Sequence, residues 1–181
     1  MPLGDPSATW LLALRRALWR WGRALGLPLR APPDPSGPPP TQLFRDQHQE
    51  LLALATQLES CLAAFRRSGS ASQVRECLSR LLGRLETHLI AEDCFMYPAL
   101  LNHMHEDLAN LAKDFAGEMG GMAGVFVQLG QRWASASSIE AHPEAFESEV
   151  TGFLTALRDR IEREDRELYA MADQRGDLNF Y

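Results

Sequence analysis

The chain has 181 residues and a formal net charge of -6, enough for one domain with an appendage and a single sizeable core. That acidic balance argues against nucleic acid as a partner, and no apolar run reaches the length that spans a membrane. Leu, Ala and Arg abound while Ile and Val are few, which favours helix over sheet. The three cysteines, Cys61, Cys77 and Cys94, form no CxxC pair, and their odd number fits a reducing, cytoplasmic compartment.

Residues 8–27 read as a basic amphipathic helix. Arg15, Arg16, Arg20 and Arg23 share one side, with Trp10, Leu11, Leu14, Leu18, Trp21 and Leu25 on the other. Residues 1–30 hold five Arg and one Asp, a balance of +4 against -6 for the whole, so the remainder carries -10. Such a face suits a membrane surface or a protein partner; the plainer alternative is a helix packing its Trp and Leu against the domain. The arginines interrupt the apolar stretch that a signal peptide or twin-arginine leader needs. Residues 28–40 contain seven prolines and are expected to form an extended linker. The domain is then expected over 41–175, with a tail at 176–181.

Four helices follow. The first is predicted over about 41–67, with the stripe Phe44, His48, Leu51, Leu52, Ala55, Leu58 and Leu62, ended by Ser68-Gly69-Ser70. The second is predicted over about 72–101, with Val74, Cys77, Leu78, Leu81, Leu85 and Phe95 as its apolar stripe and Pro98 as a stop signal. The third is predicted over about 102–135. The fourth runs from His142-Pro143 to about Gln174, with Phe146, Val150, Phe153, Leu157, Ile161, Leu168 and Met171 on one face. Four such helices joined by short turns predict an all-α, antiparallel up-down four-helix bundle.

The chemistry lies on these stripes. His48, His88, Glu92, His105 and Glu164 each fall on the face predicted to be core. A His and a Glu four residues apart lie on one helix face and can reach one metal cluster. A buried carboxylate costs several kcal/mol unless a proton, a donor or a cation meets it. Imidazoles and bridging carboxylates inside a helical bundle form the ligand set of a pair of iron or manganese ions, with empty positions left for O2, NO or peroxide. An internal echo supports the grouping. Asp46-Gln47-His48-Gln49-Glu50-Leu51 resembles Met104-His105-Glu106-Asp107-Leu108, and His88-x-x-x-Glu92-Asp93 with Tyr97 resembles Arg160-x-x-x-Glu164-Asp165 with Tyr169.

On these residues the chain resembles the hemerythrin-like, HHE cation-binding domain, over about 41–174. That family carries a His on the first helix, His-x-x-x-Glu on the second, a His on the third and His-x-x-x-Glu on the fourth. The matching positions are His48, then His88 and Glu92 with Tyr97-Pro98 following, then His105, then Glu164. The resemblance implies a non-haem di-iron site that binds O2, NO or reactive oxygen species. Family roles are oxygen carriage, sensing, and repair of stressed iron centres. A binding or sensing protein is expected rather than an enzyme, with iron handling or peroxide reduction as the alternative activity.

The sequence departs from that pattern at Arg160, where the repeat predicts His. A guanidinium stays protonated and offers a metal no lone pair. Two outcomes are open. Arg160 swings aside, with water, His103 or Glu167 completing a weaker site. Or it pairs with Glu92 and Glu164 and leaves one metal or none, in the extreme a metal-free scaffold. Tyr97 and Tyr169 are candidate donors behind the ligands. Asp165, like Asp93, is expected behind the ligands or on the surface, and His142 at the surface or capping. Cys94 is expected in buried packing, and Cys61 and Cys77 flank the first hairpin and can approach each other. The glycine-rich run Ala116 to Gly124 predicts a weakened or closely packed third helix, or a Met-lined path for a gas.

Overall fold

The computed structural model describes residues 38–68, 70–175, 178 and 180. The predicted N-terminal amphipathic helix and most of the proline-rich linker lie outside the described residues. The elements in chain order are α1 (Gln42–Ser68), α2 (Ala71–Ala91), a π turn (Glu92–Met96), α3 (Tyr97–Leu101), α4 (Glu106–Arg132), α5 (Ala136–Ala141), α6 (Pro143–Arg163), a second π turn (Glu164–Leu168) and α7 (Tyr169–Arg175). The described residues hold helices and no strand. None of the helices among them is long and apolar enough to cross a membrane.

The four long helices close into a ring: α1 packs against α2 and α6, and α4 packs against the same two. Two apolar clusters fill the interior. One gathers Leu51, Leu58, Leu81, Leu85, Trp133, Phe146 and Leu157. The other gathers Phe44, Met96, Leu100, Phe115, Leu168 and Tyr169. Between them fall His48 on α1, His88 on α2, Arg160 on α6, and Glu92 and Glu164 at the start of the two π turns, all buried. The buried polar side chains of the described residues are these five, Gln47 and Thr41, so all but Thr41 sit in or beside one polar layer.

Several boundaries differ from the sequence expectation, each for a local reason. The second and fourth helices are not continuous α-helix; each passes through a π turn that begins at a layer carboxylate, Glu92 or Glu164. In both, the N–H of a tyrosine bonds the carbonyl five residues back, Tyr97 to Glu92 and Tyr169 to Glu164. The extra residue rotates everything after it, which is why Phe95, expected in the core, is 51% exposed. Pro98 does not stop the helix, because it falls in the first turn of α3, where its missing N–H is tolerated. The third helix starts at Glu106, four residues late, with 103–105 outside helix. A short α5 that the periodicity did not predict is capped by Ser135, whose hydroxyl accepts from the Ser138 N–H. The glycine-rich run is an unbroken part of α4, and a Cβ at Gly117 or Gly124 would meet nothing within 4 Å, so close packing does not account for those two. Cys61 and Cys77 are joined as a disulfide between α1 and α2, and Cys94 is free and half-buried.

Candidate metal centre

Four side chains converge in the polar layer. One donor atom each from His48, His88, Glu92 and Glu164 lies within 4.8 Å of the others. His48 comes from α1, His88 from the last turn of α2, and the carboxylates from the first residue of each π turn. His48 Nε2 is 3.1 Å from His88 Nε2 and 3.5 Å from Glu164 Oε2, and His88 Nε2 is 3.6 Å from Glu92 Oε1. Donors bound at about 2.1 Å to one tetrahedral ion stand roughly 3.4 Å apart. The three separations bracket that value.

Both imidazoles are oriented from behind. His48 Nδ1–H donates to Asp165 Oδ1 at 2.9 Å, and His88 Nδ1–H donates to Gln47 Oε1 at 2.9 Å. Each hydrogen bond turns the Nε2 lone pair inward, the arrangement that prepares a histidine for a metal. Asp165 is held in turn by Arg45, which also ties Thr41 and Asp173 at the start of α1 and in α7. The Tyr169 ring stacks on His48, and its hydroxyl donates to Glu92 Oε1 at 2.7 Å. Glu92 Oε2 is buried and has no hydrogen-bond partner.

Two inward lone pairs 3.1 Å apart require a cation between them. Without a metal that cation is a proton. Burial opposes charge on His48, but hydrogen bonds to Asp165 and Glu164 outweigh it and raise its pKa to about 9. Burial and the neighbouring His48 charge lower His88 to about 3. Burial and the Glu164 carboxylate raise Glu92 to about 8. Burial pushes Glu164 up too, yet His48 and Arg160 beside it hold it below the usual carboxylate range. The layer is therefore a cation socket, with Glu92 its least satisfied wall.

Arg160 points into the same layer. Its Nε donates to Glu164 Oε1 at 2.7 Å, a second guanidinium nitrogen lies 2.6 Å from that oxygen and 2.9 Å from the Tyr97 hydroxyl, and the third reaches Glu118 at 3.4 Å. Its charge sits over the Phe115 ring, 4.6 Å from the centroid. Arg160 thus satisfies Glu164, while the free oxygen of Glu92 stays unbonded.

His105, expected as a ligand from the third helix, is exposed at the N-terminus of α4 and stacks on His103. The helix starts too late to carry it inward, and α4 presents Leu108, Ala112 and Phe115 to the core instead. Glu167 faces away and pairs with Arg166, so it does not complete the site, nor does His103. His142 is exposed at the N-cap position of α6, and its side chain makes no capping bond. Tyr97 and Tyr169 stand behind Glu164 and Glu92. Gln47 and Phe115 escaped the sequence reading, although spacing carried a signal for both: Gln47 falls three residues after Phe44 and four before Leu51, and Phe115 follows Leu108 and Ala112 at helical steps.

A cavity of about 20 Å³ adjoins the layer, walled by His88, Arg160 and Glu164 and otherwise by apolar side chains, Met119 and Met122 among them. It has room for roughly one water-sized molecule.

In comparison with protein families the chain matches the Hemerythrin HHE cation binding domain over residues 40–172. No significant match was found among curated proteins or solved structures.

Proposed function

The chain belongs to the hemerythrin HHE cation-binding family, and on that premise we propose that it is a non-haem iron protein. In this reading it binds O2, NO or a reactive oxygen species and acts as a sensor or stress-response binding protein rather than an enzyme. The observation that carries the reading is Glu92 Oε2, a carboxylate oxygen fully inside the protein with nothing to bond. Leaving such an acceptor unmet costs about 1–3 kcal/mol, more when it is charged. A cation among His48, His88, Glu92 and Glu164 removes that cost.

Iron, when bound, supplies a Lewis-acidic and redox-active centre with positions open to a small ligand. The chain's own groups do the rest. Asp165 and Gln47 fix the two imidazoles, and Tyr169 holds Glu92 by Oε1, the oxygen 3.6 Å from His88 Nε2, while Oε2 has no hydrogen bond. The cavity beside His88 has room for one small molecule, and its walls are largely Leu, Met and Phe side chains. Two imidazoles with carboxylate suit iron, and manganese remains chemically compatible.

A second reading is favoured by one observation: Arg160 pairs with Glu164 through two nitrogens. With a proton shared by His48 and His88, that pair leaves a metal-free helical scaffold. Metal analysis of protein incubated anaerobically with ferrous iron separates the two. Bound iron, lost in Glu92→Gln, supports the iron reading; a chain that retains no metal leaves only the scaffold. Spectral change on adding O2 or NO to the ferrous form then tests the ligand.

A further inference from the structure

We propose that the guanidinium of Arg160 permanently fills the place of a second cation, so that this chain takes one metal ion and not two. The proposal rests on the iron-binding reading above and deepens it.

Glu164 is divided between two positive partners. Its Oε1 receives both Arg160 contacts, at 2.7 and 2.6 Å, while Oε2 faces His48 at 3.5 Å. The carboxylate thus bridges a guanidinium and the socket as it would bridge two ions. The guanidinium is locked in that place. It is bonded to Tyr97, reaches Glu118, and lies over Phe115, and the Arg160 side chain is only 5% exposed. A second guanidinium, that of Arg163, lies 5.0 Å from the same ring and bonds Glu118 at 2.7 Å. Phe115 and Glu118 therefore cradle the arginine from α4, at the face where a further metal donor would have to stand.

The donor set agrees. The grouping found among the described residues has four members, and none comes from α4. His105 is outside. The void left beside Arg160 is about 20 Å³, and its polar walls are His88, Glu164 and Arg160 itself. Charge agrees as well. Two carboxylates, one guanidinium and one divalent ion leave a single positive charge in the layer, whereas a second divalent ion would leave three, at a severe desolvation cost.

The test is the metal content of the full chain after anaerobic reconstitution with excess ferrous iron and desalting, read with the EPR spectrum of the oxidised form. One ion per chain and the signal of an isolated high-spin ferric ion are expected. Two ions and a silent, spin-coupled pair would overturn the proposal and leave iron binding intact; no ion would overturn both. The double variant Arg160→His with Phe115→His offers donors at both positions and should move the stoichiometry from one to two. A variant with wild-type helical content that still holds one ion assigns the place to something other than Arg160 and overturns the proposal. Arg160→Met keeps the question open to test if the double variant does not fold. Its metal-free form should melt well below wild type, and below Glu118→Ala, which removes only an exposed tie. An unchanged melting temperature would show that the guanidinium offsets no buried charge, which also overturns the proposal.

Discussion

The Tyr169 hydroxyl donates to Glu92 Oε1 at 2.7 Å, and the Tyr97 hydroxyl lies 3.4 Å from Glu164 Oε1. Each tyrosine follows one carboxylate by five residues and serves the other. The two echoing segments are cross-braced, and each bracing tyrosine is set by a π turn in which its N–H bonds the carbonyl of the carboxylate residue five before it. Tyr169→Phe removes one brace without removing the ring. We expect the metal-free protein to lose about 1–3 kcal/mol, the cost of stripping a partner from a buried acceptor. Denaturant unfolding measures this, and a variant equal to wild type would show that Glu92 is satisfied elsewhere.

Asp165 and Gln47 touch only the outer nitrogens of His48 and His88. Their value lies in fixing ring orientation and tautomer. Asp165→Ala and Gln47→Ala should each weaken metal affinity by roughly 10–100-fold while the helical content stays unchanged. Competition against a chelator of known affinity checks both. Equal affinity in the Asp165 variant would mean that ring stacking on Tyr169 alone positions His48.

Proton release should accompany metal binding. Between pH 6.5 and about 9 the metal-free fold keeps a proton on His48 that the unfolded chain gives up, and Glu92 keeps one between 4.5 and about 8. The native state binds more protons there, so stability falls as pH rises through those windows. His88, lowered to about 3, works in the opposite sense between about 3 and 6.5, where the unfolded chain holds the extra proton and stability rises with pH. The metal-free melting temperature should therefore drop from pH 6.5 to 9. Metal needs His48 neutral and Glu92 ionised, so affinity should climb over the same range. Thermal melts and chelator competition at stepped pH read both; parallel curves with and without metal would contradict the assignment.

The Cys61–Cys77 disulfide closes 16 residues of the α1–α2 hairpin. A loop of that length is worth about 3 kcal/mol in chain entropy. Cys61→Ser should lower the melting temperature by roughly 10 °C, with no further fall on adding a reductant. A wild-type chain whose melting does not respond to reductant would show that the bond adds no stability.

Much of this arrangement was legible in the sequence. The three- and four-residue stripes gave the long helices, and the repeat of His or Arg, Glu, Asp and Tyr marked the layer. What escaped had physical causes. A π turn leaves no trace in an apolar stripe except a misplaced residue, here Phe95. His105 matched the repeat in type, but a helix that starts at Glu106 leaves it at the cap. Arg160 carried two alternatives, and only three-dimensional contacts could choose; they give it to Glu164, Tyr97 and Phe115. Gln47 lies on the core stripe of α1, three residues after Phe44 and four before Leu51, but its polar type hid it among apolar neighbours; its amide oxygen is buried against His88 of α2.

The two one-residue insertions at Glu92 and Glu164 also set a limit on how this chain can change. Deleting a single residue from either wide turn would restore an ordinary helix and swing every later side chain on it by about 100°. Tyr97 and α3 would leave one carboxylate, or Tyr169 and α7 the other, and the apolar cluster that holds Met96, Leu100, Leu168 and Tyr169 would be cut at the same stroke. Length in these two places is therefore as tightly constrained as the identity of any ligand, and a shortened copy would be expected to lose its ion before it lost its helices.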